Sequence, residues 1–165
     1  MPLIWRALAF GVVVALGVIL VGADIVSVSA QASDPRIGTW KLNVAKSKFS
    51  PGPAPRSNTM KIEGSGQGEK VTTEGVNAEG GPTATQYTAN FDGKDSPITG
   101  SQNVDTVSLK RIDARTTERT NKKDGKVTVV LTSVVSQDGK TMTVTVKGTN
   151  AQGQTVNNVA VWEKQ

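Results

Sequence analysis

Apolar and polar residues alternate with a period of two along most of the chain after residue 32. The clearest example is "TMTVTVKG", in which Met142, Val144 and Val146 occupy one parity and threonines and a lysine occupy the other. Successive side chains of a β-strand point to opposite faces, so this period predicts strands with one buried face. It predicts nine strands, at 38–44, 57–63, 69–77, 83–91, 103–112, 115–123, 126–136, 140–149 and 155–164.

Short turn sequences separate these strands. Asp-Gly-Lys occurs three times, at 92–94, 124–126 and 138–140, and Ala-Gln-Gly-Gln occupies 151–154. Asp-Gly supplies the positive backbone φ values of tight hairpin turns, so consecutive strands are expected to pair antiparallel. The pattern predicts an all-β, antiparallel up-and-down barrel of about 8–10 strands, because closure removes exposed edges. The one long connection contains three prolines, at 51, 53 and 55, and is predicted to be a loop across one end of the barrel.

The first 32 residues differ from the rest of the chain. A short positive region precedes an uncharged apolar run at 7–22, and small residues follow in "SVSAQA". This order is typical of a secretory signal peptide, with cleavage after Ala30 or Ala32. An uncleaved membrane anchor is the alternative, but Asp24 interrupts the run before it reaches the ~20 apolar residues of a spanning helix. We therefore predict an extracytoplasmic protein, periplasmic or secreted, with no stable membrane span after cleavage.

Composition limits the chemistry of the remaining domain, 33–165. The chain contains no histidine and no cysteine. Ser-His-Asp and Cys-His catalysis and the usual haem, zinc and copper ligands are therefore excluded, and we expect no enzyme activity, no metal and no cofactor. The net charge of +5 is spread along a chain with few aromatic residues, which argues against nucleic acid as a partner. Asp105, Asp113 and Glu118 lie near one another in sequence, but they are interpreted as solvated strand and turn charges.

The segment "RIDARTTERTNKK" is polar on both parities. One parity holds Arg115, Thr117, Arg119 and Asn121, and the other holds Thr116, Glu118, Thr120 and Lys122. If the segment is a barrel strand, one of these polar faces points inward. An inward pair of Arg115 and Arg119 would then provide donors for a carboxylate or phosphate. The alternative is an exposed edge strand or protruding hairpin, whose charges protect the edge.

The two ends of the predicted barrel carry short motifs. Gly38, Thr39 and Trp40 form a G-x-W motif at the start of the first strand, and "VAVWEKQ" ends the last strand. With the meander of hairpins between them, the chain resembles the calycin superfamily of lipocalins and fatty-acid-binding proteins. The resemblance implies that Gly38, Trp40, Trp162 and Lys164 close the barrel, with Trp40 beneath Lys164, where the family more often has an arginine.

The same resemblance implies an interior ligand site. Fatty-acid-binding barrels hold their ligands with interior arginines and a tyrosine, which here implies Arg115, Arg119 and Tyr87. Their two-helix lid is not expected, because "SKFSPGPAPRSN" cannot form helices, so the entrance would be open or covered by a loop. The chain is thus expected to be an exported lipocalin-like binding protein for a small hydrophobic, amphipathic or anionic ligand. The alternative is an envelope protein-interaction or inhibitor module with a side-chain-filled barrel, acting on an unknown protein partner through loops 47–57 and 92–102.

Overall fold

The computed structural model describes residues 34–165, and every regular element in that range is a β-strand. The predicted signal peptide at 1–32 lies outside the described residues. Within the described range, no helix is long and apolar enough to cross a membrane. The strands, in chain order, are β1 (Gly38–Lys48), β2 (Ser57–Ser65), β3 (Gly68–Val76), β4 (Pro82–Asn90), β5 (Ser96–Thr99), β6 (Thr106–Arg111), β7 (Thr116–Lys123), β8 (Lys126–Val135), β9 (Thr141–Thr149) and β10 (Thr155–Lys164).

The ten strands form one closed antiparallel barrel. Each strand pairs with the next along the chain, and β10 pairs with β1 to complete the ring. The predicted all-β, up-and-down barrel is therefore confirmed. The Asp-Gly turn at 124–125 links β7 and β8 with two positive φ values, 51° at Asp124 and 72° at Gly125, as a two-residue hairpin turn requires.

The sequence pattern missed one strand, β5. This strand has only four residues, includes Pro97, and contacts β4 and β6 through two residue pairs on each side. A run this short shows no clear period of two, and proline is usually a sign of a strand edge or a loop. The segment nonetheless joins β4 to β6, and without it the ring of strands would have a gap.

The polar strand β7 lies inside the sheet, between β6 and β8. Thr117 and Asn121 are buried, and Arg119 shares their parity. The alternative of an exposed edge or protruding hairpin is therefore wrong, because both sides of β7 are hydrogen-bonded to neighbouring strands. One polar face of this strand points into the barrel.

Most of the apolar core lies at one end of the barrel. We call this end, where β1 begins and β10 finishes, the Trp40 end. Fully buried side chains there include Trp40, Ile62, Leu109 and Met142. The opposite end, which we call the loop end, carries the proline-containing connection 49–56 between β1 and β2. The uneven distribution of apolar side chains leaves room for a cavity above the core.

Candidate ligand-binding site

A cavity of about 260 Å³ occupies the interior of the barrel. Its apolar wall includes Met60, Leu109, Leu131, Met142, Val144 and Trp162, and its polar wall includes Arg36, Asn58, Glu69, Tyr87 and Arg119. Small-molecule sites are typically clefts of ~300–1,000 Å³ with an apolar lining and a few polar groups that fix orientation. This cavity has that mixed lining and lies just below the size range, so it suits a small molecule.

A buried ion pair forms the floor of the cavity. Arg36 donates from Nη2 to Glu69 Oε1 at 2.9 Å and from Nε to Oε2 at 3.2 Å, and only 4% and 1% of these residues are exposed. A turn presents Arg36 to the barrel, because Asp34 accepts hydrogen bonds from the backbone amides of Arg36 and Ile37. Arg36 O in turn accepts from Trp40 Nε1 at 2.8 Å, which ties the turn to the G-x-W motif.

Tyr87 connects this ion pair to the rest of the cavity. Its hydroxyl donates to Glu69 Oε1 at 3.2 Å, and its ring lies beneath the Arg119 guanidinium, 5.3 Å from ring centroid to Cζ. Burial of the phenol raises the pKa of Tyr87 to about 12, because the phenolate would lose its hydration. The neighbouring Glu69 carboxylate also raises this pKa, while the Arg119 cation lowers it. Tyr87 is therefore a neutral hydrogen-bond donor at physiological pH.

The raised pKa of Tyr87 makes the stability of the protein depend on pH in the alkaline range. Unfolded tyrosine ionises near pH 10, so the contribution of the neutral phenol to stability is complete below pH ~10 and is lost as the pH rises towards ~12. We expect the free energy of unfolding to fall by about 2–3 kcal/mol across this pH window. Tyr87 is the only tyrosine in the chain, so near-ultraviolet absorbance reports its ionisation directly. The midpoint should lie near 12 in the folded protein and near 10 in urea, whereas a folded midpoint near 10 would show a hydrated ring.

Arg119 carries a positive charge that no described acidic residue pairs with. The charged side chains lining the cavity are Arg36, Glu69 and Arg119, and the first two neutralise each other. Arg119 Nε is buried and has no hydrogen-bond partner among residues 34–165. The side chain as a whole is partly buried and lines the cavity, so its cation offers a charge-assisted contact to an anionic group in that volume.

The structure does not bring Arg115 to this site. Arg115 is exposed in the turn that precedes β7, where Asp113 accepts hydrogen bonds from the backbone amides of Arg115 and Thr116. The predicted pair of inward arginines is therefore wrong for Arg115. Side-chain parity holds only within a strand, and β7 begins one residue later, at Thr116.

The three carboxylates that the sequence placed near one another do not line the cavity. Asp105 pairs with Lys123 at 2.7 Å, and Asp113 caps the turn before β7. Hydrogen bonds from Lys123 and the Asp124 amide lower the pKa of Asp105, and those from the Arg115 amide and Thr116 lower the pKa of Asp113. Glu118 faces away from the cavity, on the opposite parity from Arg119.

Trp40 is completely buried at its end of the barrel. Lys164, its partner in the β1–β10 ladder, places Nζ 5.1 Å from the Trp40 ring centroid, within the range of a cation–π contact, and donates to Pro35 O at 3.0 Å. Gly38 makes room for this lysine, since a Cβ at Gly38 would lie 2.8 Å from Lys164 Cε. Trp162 was also predicted to close the barrel, and it differs from Gly38, Trp40 and Lys164 because it lines the cavity wall.

Sequence reasoning missed Arg36 and Glu69. Glu69 shares the parity of Val71 and Thr73 on β3, so a charged residue on an otherwise inward parity was a usable signal. Arg36 precedes β1, so the alternation of side chains within a strand does not predict its direction. Only the fold shows that residues 33 positions apart in sequence form a buried pair.

The loop end carries no helical lid within the described residues. Phe49 lines the cavity from the first position of the connection 49–56. The next residue holds the connection against β10, because Ser50 donates its amide to Asn158 Oδ1 and accepts from the Asn157 amide, both at 2.8 Å. The cavity is therefore bordered at this end by a loop, as the proline content predicted.

Comparison with known proteins gives few matches. No protein-family model and no curated protein sequence matches the chain. Among solved structures, the chain is similar to the zebrafish ileal bile acid-binding protein complexed with cholic acid. The two share 13% sequence identity, the match covers 79% of this chain and 99% of the zebrafish chain, and the TM-score is 0.48.

Proposed function

We propose that this chain is an exported binding protein that takes up a small amphipathic anion inside its barrel. Export rests on the sequence of residues 1–32, which has the order of a cleavable signal peptide. Binding rests on the cavity, and one observation carries it: Arg119, partly buried and without an acidic partner among residues 34–165, lines an otherwise mostly apolar volume. Tyr87 supports the assignment because its ring holds Arg119 and its hydroxyl is kept protonated.

The remaining groups of the cavity favour binding over catalysis. Glu69 is held by Arg36 and Tyr87, so its carboxylate has no free role as a general base. Leu109, Met142 and Val144 supply an apolar surface for a hydrocarbon segment. A ligand with an anionic group at Arg119 and an apolar body against these side chains would match the charge and polarity of the cavity lining. Such binding involves no covalent bond being made or broken.

Native mass spectrometry tests the proposal on protein that is expressed from the full sequence and purified from the extracytoplasmic fraction of the cell. We expect a persistent extra mass on the wild-type protein and its loss from Arg119→Met, because the charge-assisted contact to the anion would be absent. The same spectrum should give a mature chain beginning after Ala30 or Ala32. A clean apo mass for the wild-type protein would contradict the binding proposal, and an uncleaved chain would contradict export.

A further inference from the structure

Three buried N–H donors of the cavity lining have no hydrogen-bond partner among residues 34–165. They are Arg36 Nη1, Arg119 Nε and Trp162 Nε1. Guanidinium and indole N–H groups can only donate, so each of these atoms requires an acceptor. Buried polar groups are normally hydrogen-bonded, and the wall supplies no acceptor to these three. The acceptors are therefore expected in the contents of the cavity.

The two tryptophans of the barrel differ in how their indole N–H groups are satisfied. Trp40 Nε1 donates to Arg36 O at 2.8 Å. Trp162 is only 8% exposed and lines the cavity, and its Nε1 has no partner in the described part of the chain. Its cross-strand neighbours are Leu42 and Met142, whose side chains carry no oxygen. Because a buried tryptophan N–H normally finds a partner, the free N–H of Trp162 indicates a role beyond packing.

The charges of the cavity wall limit the chemistry of the missing acceptor. Arg36 is 4% exposed and is neutralised by Glu69 at 2.9 Å, and the indole of Trp162 is uncharged. Among the described lining residues, Arg119 alone is left with a charge that no opposite charge balances. A single negative charge on the ligand therefore balances the wall. Trp162 needs an oxygen that brings no second charge, either one shared with the acid group or a neutral one.

We infer that Trp162 is a ligand contact, and that its indole N–H donates to an oxygen of a bound amphipathic monoanion. This inference rests on the proposed function and adds a second, uncharged donor to the same site. Arg119 on β7 supplies the charge, and Trp162 on β10 supplies the neutral donor, with β8 and β9 between them in the ring. A ligand that placed only hydrocarbon against Trp162 would leave its N–H buried without a partner, so affinity depends on an oxygen there.

Nuclear magnetic resonance of the indole N–H groups tests this contact in the purified chain. Two acids of equal length are the probes: decanoate, whose only oxygens are in its carboxylate, and 3,6,9-trioxadecanoate, which adds ether oxygens along the chain. Saturation with at least one of them should move the Trp162 indole resonance downfield, as a new hydrogen bond to oxygen does. The Trp40 resonance should stay in place, because its N–H already donates to Arg36 O. A Trp162 resonance that stays in place in both saturated complexes would overturn the inference and leave the proposed function standing. Absence of binding by both acids would overturn both.

The variant Trp162→Phe removes the indole N–H and keeps an aromatic ring in the cavity wall. It should weaken binding of the acid that moves the Trp162 resonance about fivefold, as the loss of one net hydrogen bond does. Met142→Leu is the matched control, since Met142 lines the same cavity beside Trp162 but donates no hydrogen bond. Its affinity should stay within about twofold of the wild-type value, because the swap nearly conserves volume. Equal affinities of the wild-type protein and Trp162→Phe would overturn the inference. If Trp162→Phe does not fold, the resonance shift in the wild-type protein decides the question, since it needs no substitution.

Discussion

Replacing Glu69 with glutamine is expected to lower the free energy of unfolding by about 3–5 kcal/mol. The substitution removes the carboxylate that receives three hydrogen bonds from Arg36 and one from Tyr87, inside a region where both ion-pair partners are almost fully buried. The Arg36 guanidinium would then be a buried cation with no counter-charge. Because a typical domain is stable by only ~5–15 kcal/mol, the variant should unfold at much lower urea concentration.

An exposed ion pair provides the control for this experiment. Glu163 pairs with Lys46 at 3.0 Å, and the side chains remain 42% and 65% exposed. Glu163→Gln should leave the urea midpoint nearly unchanged, because solvent screens the pair. The double variant Arg36→Met with Glu69→Leu should recover most of the stability lost in Glu69→Gln, since it leaves no unpaired charge. Equal, small effects of Glu69→Gln and Glu163→Gln would show that water reaches the Arg36 pair.

Replacing Arg119 with methionine is expected to weaken binding of a small amphipathic carboxylate, for which decanoate is the probe, by at least about tenfold. A hydrogen bond to a charged group contributes ~1.5–3 kcal/mol, which corresponds to roughly a 10- to 150-fold change in affinity. The stability of the ligand-free protein should change little, because Arg119 is partly buried and has no acidic partner in the described structure. Titration calorimetry and urea unfolding of the same preparation measure both quantities.

Arg115→Met is the matched control for this variant. Arg115 is the same residue type four positions earlier in the chain, but it lies in an exposed turn outside the cavity. Its replacement should leave decanoate affinity unchanged. If both variants weakened binding equally, the effect would come from the net charge of the protein, and Arg119 would not be the anion contact.

Much of the fold depends on residues that are close together in the chain, and the sequence therefore predicted it. The period of two in "TMTVTVKG" makes β9 a strand with Met142 and Val144 inward, because alternation of side chains is a property of the strand itself. The Asp-Gly turn at 124–125 similarly sets the reversal between β7 and β8 through its own backbone angles. The exception is β5, which is too short to carry a pattern and is defined by the strands on either side.

The candidate site was predictable only in part. Arg119 was found from the parity of the polar strand, and Tyr87 from the resemblance to fatty-acid-binding barrels. Arg115 was misplaced because the strand begins after it. Nothing local indicated that Glu69 would neutralise Arg36 and leave Arg119 as the unpaired cation. That distinction decides which arginine is available to a ligand.

By itself, the sequence determined the class of structure, the positions of most strands and the parity of their side chains, since each of these depends on neighbouring residues. Tertiary structure decided which polar side chains meet. Arg36 precedes β1, Glu69 lies on β3, Tyr87 on β4 and Arg119 on β7, and their contacts exist only after the ring of strands closes. The closure of the barrel and the register of its strands fix those distances, because both depend on pairings between residues remote in the chain.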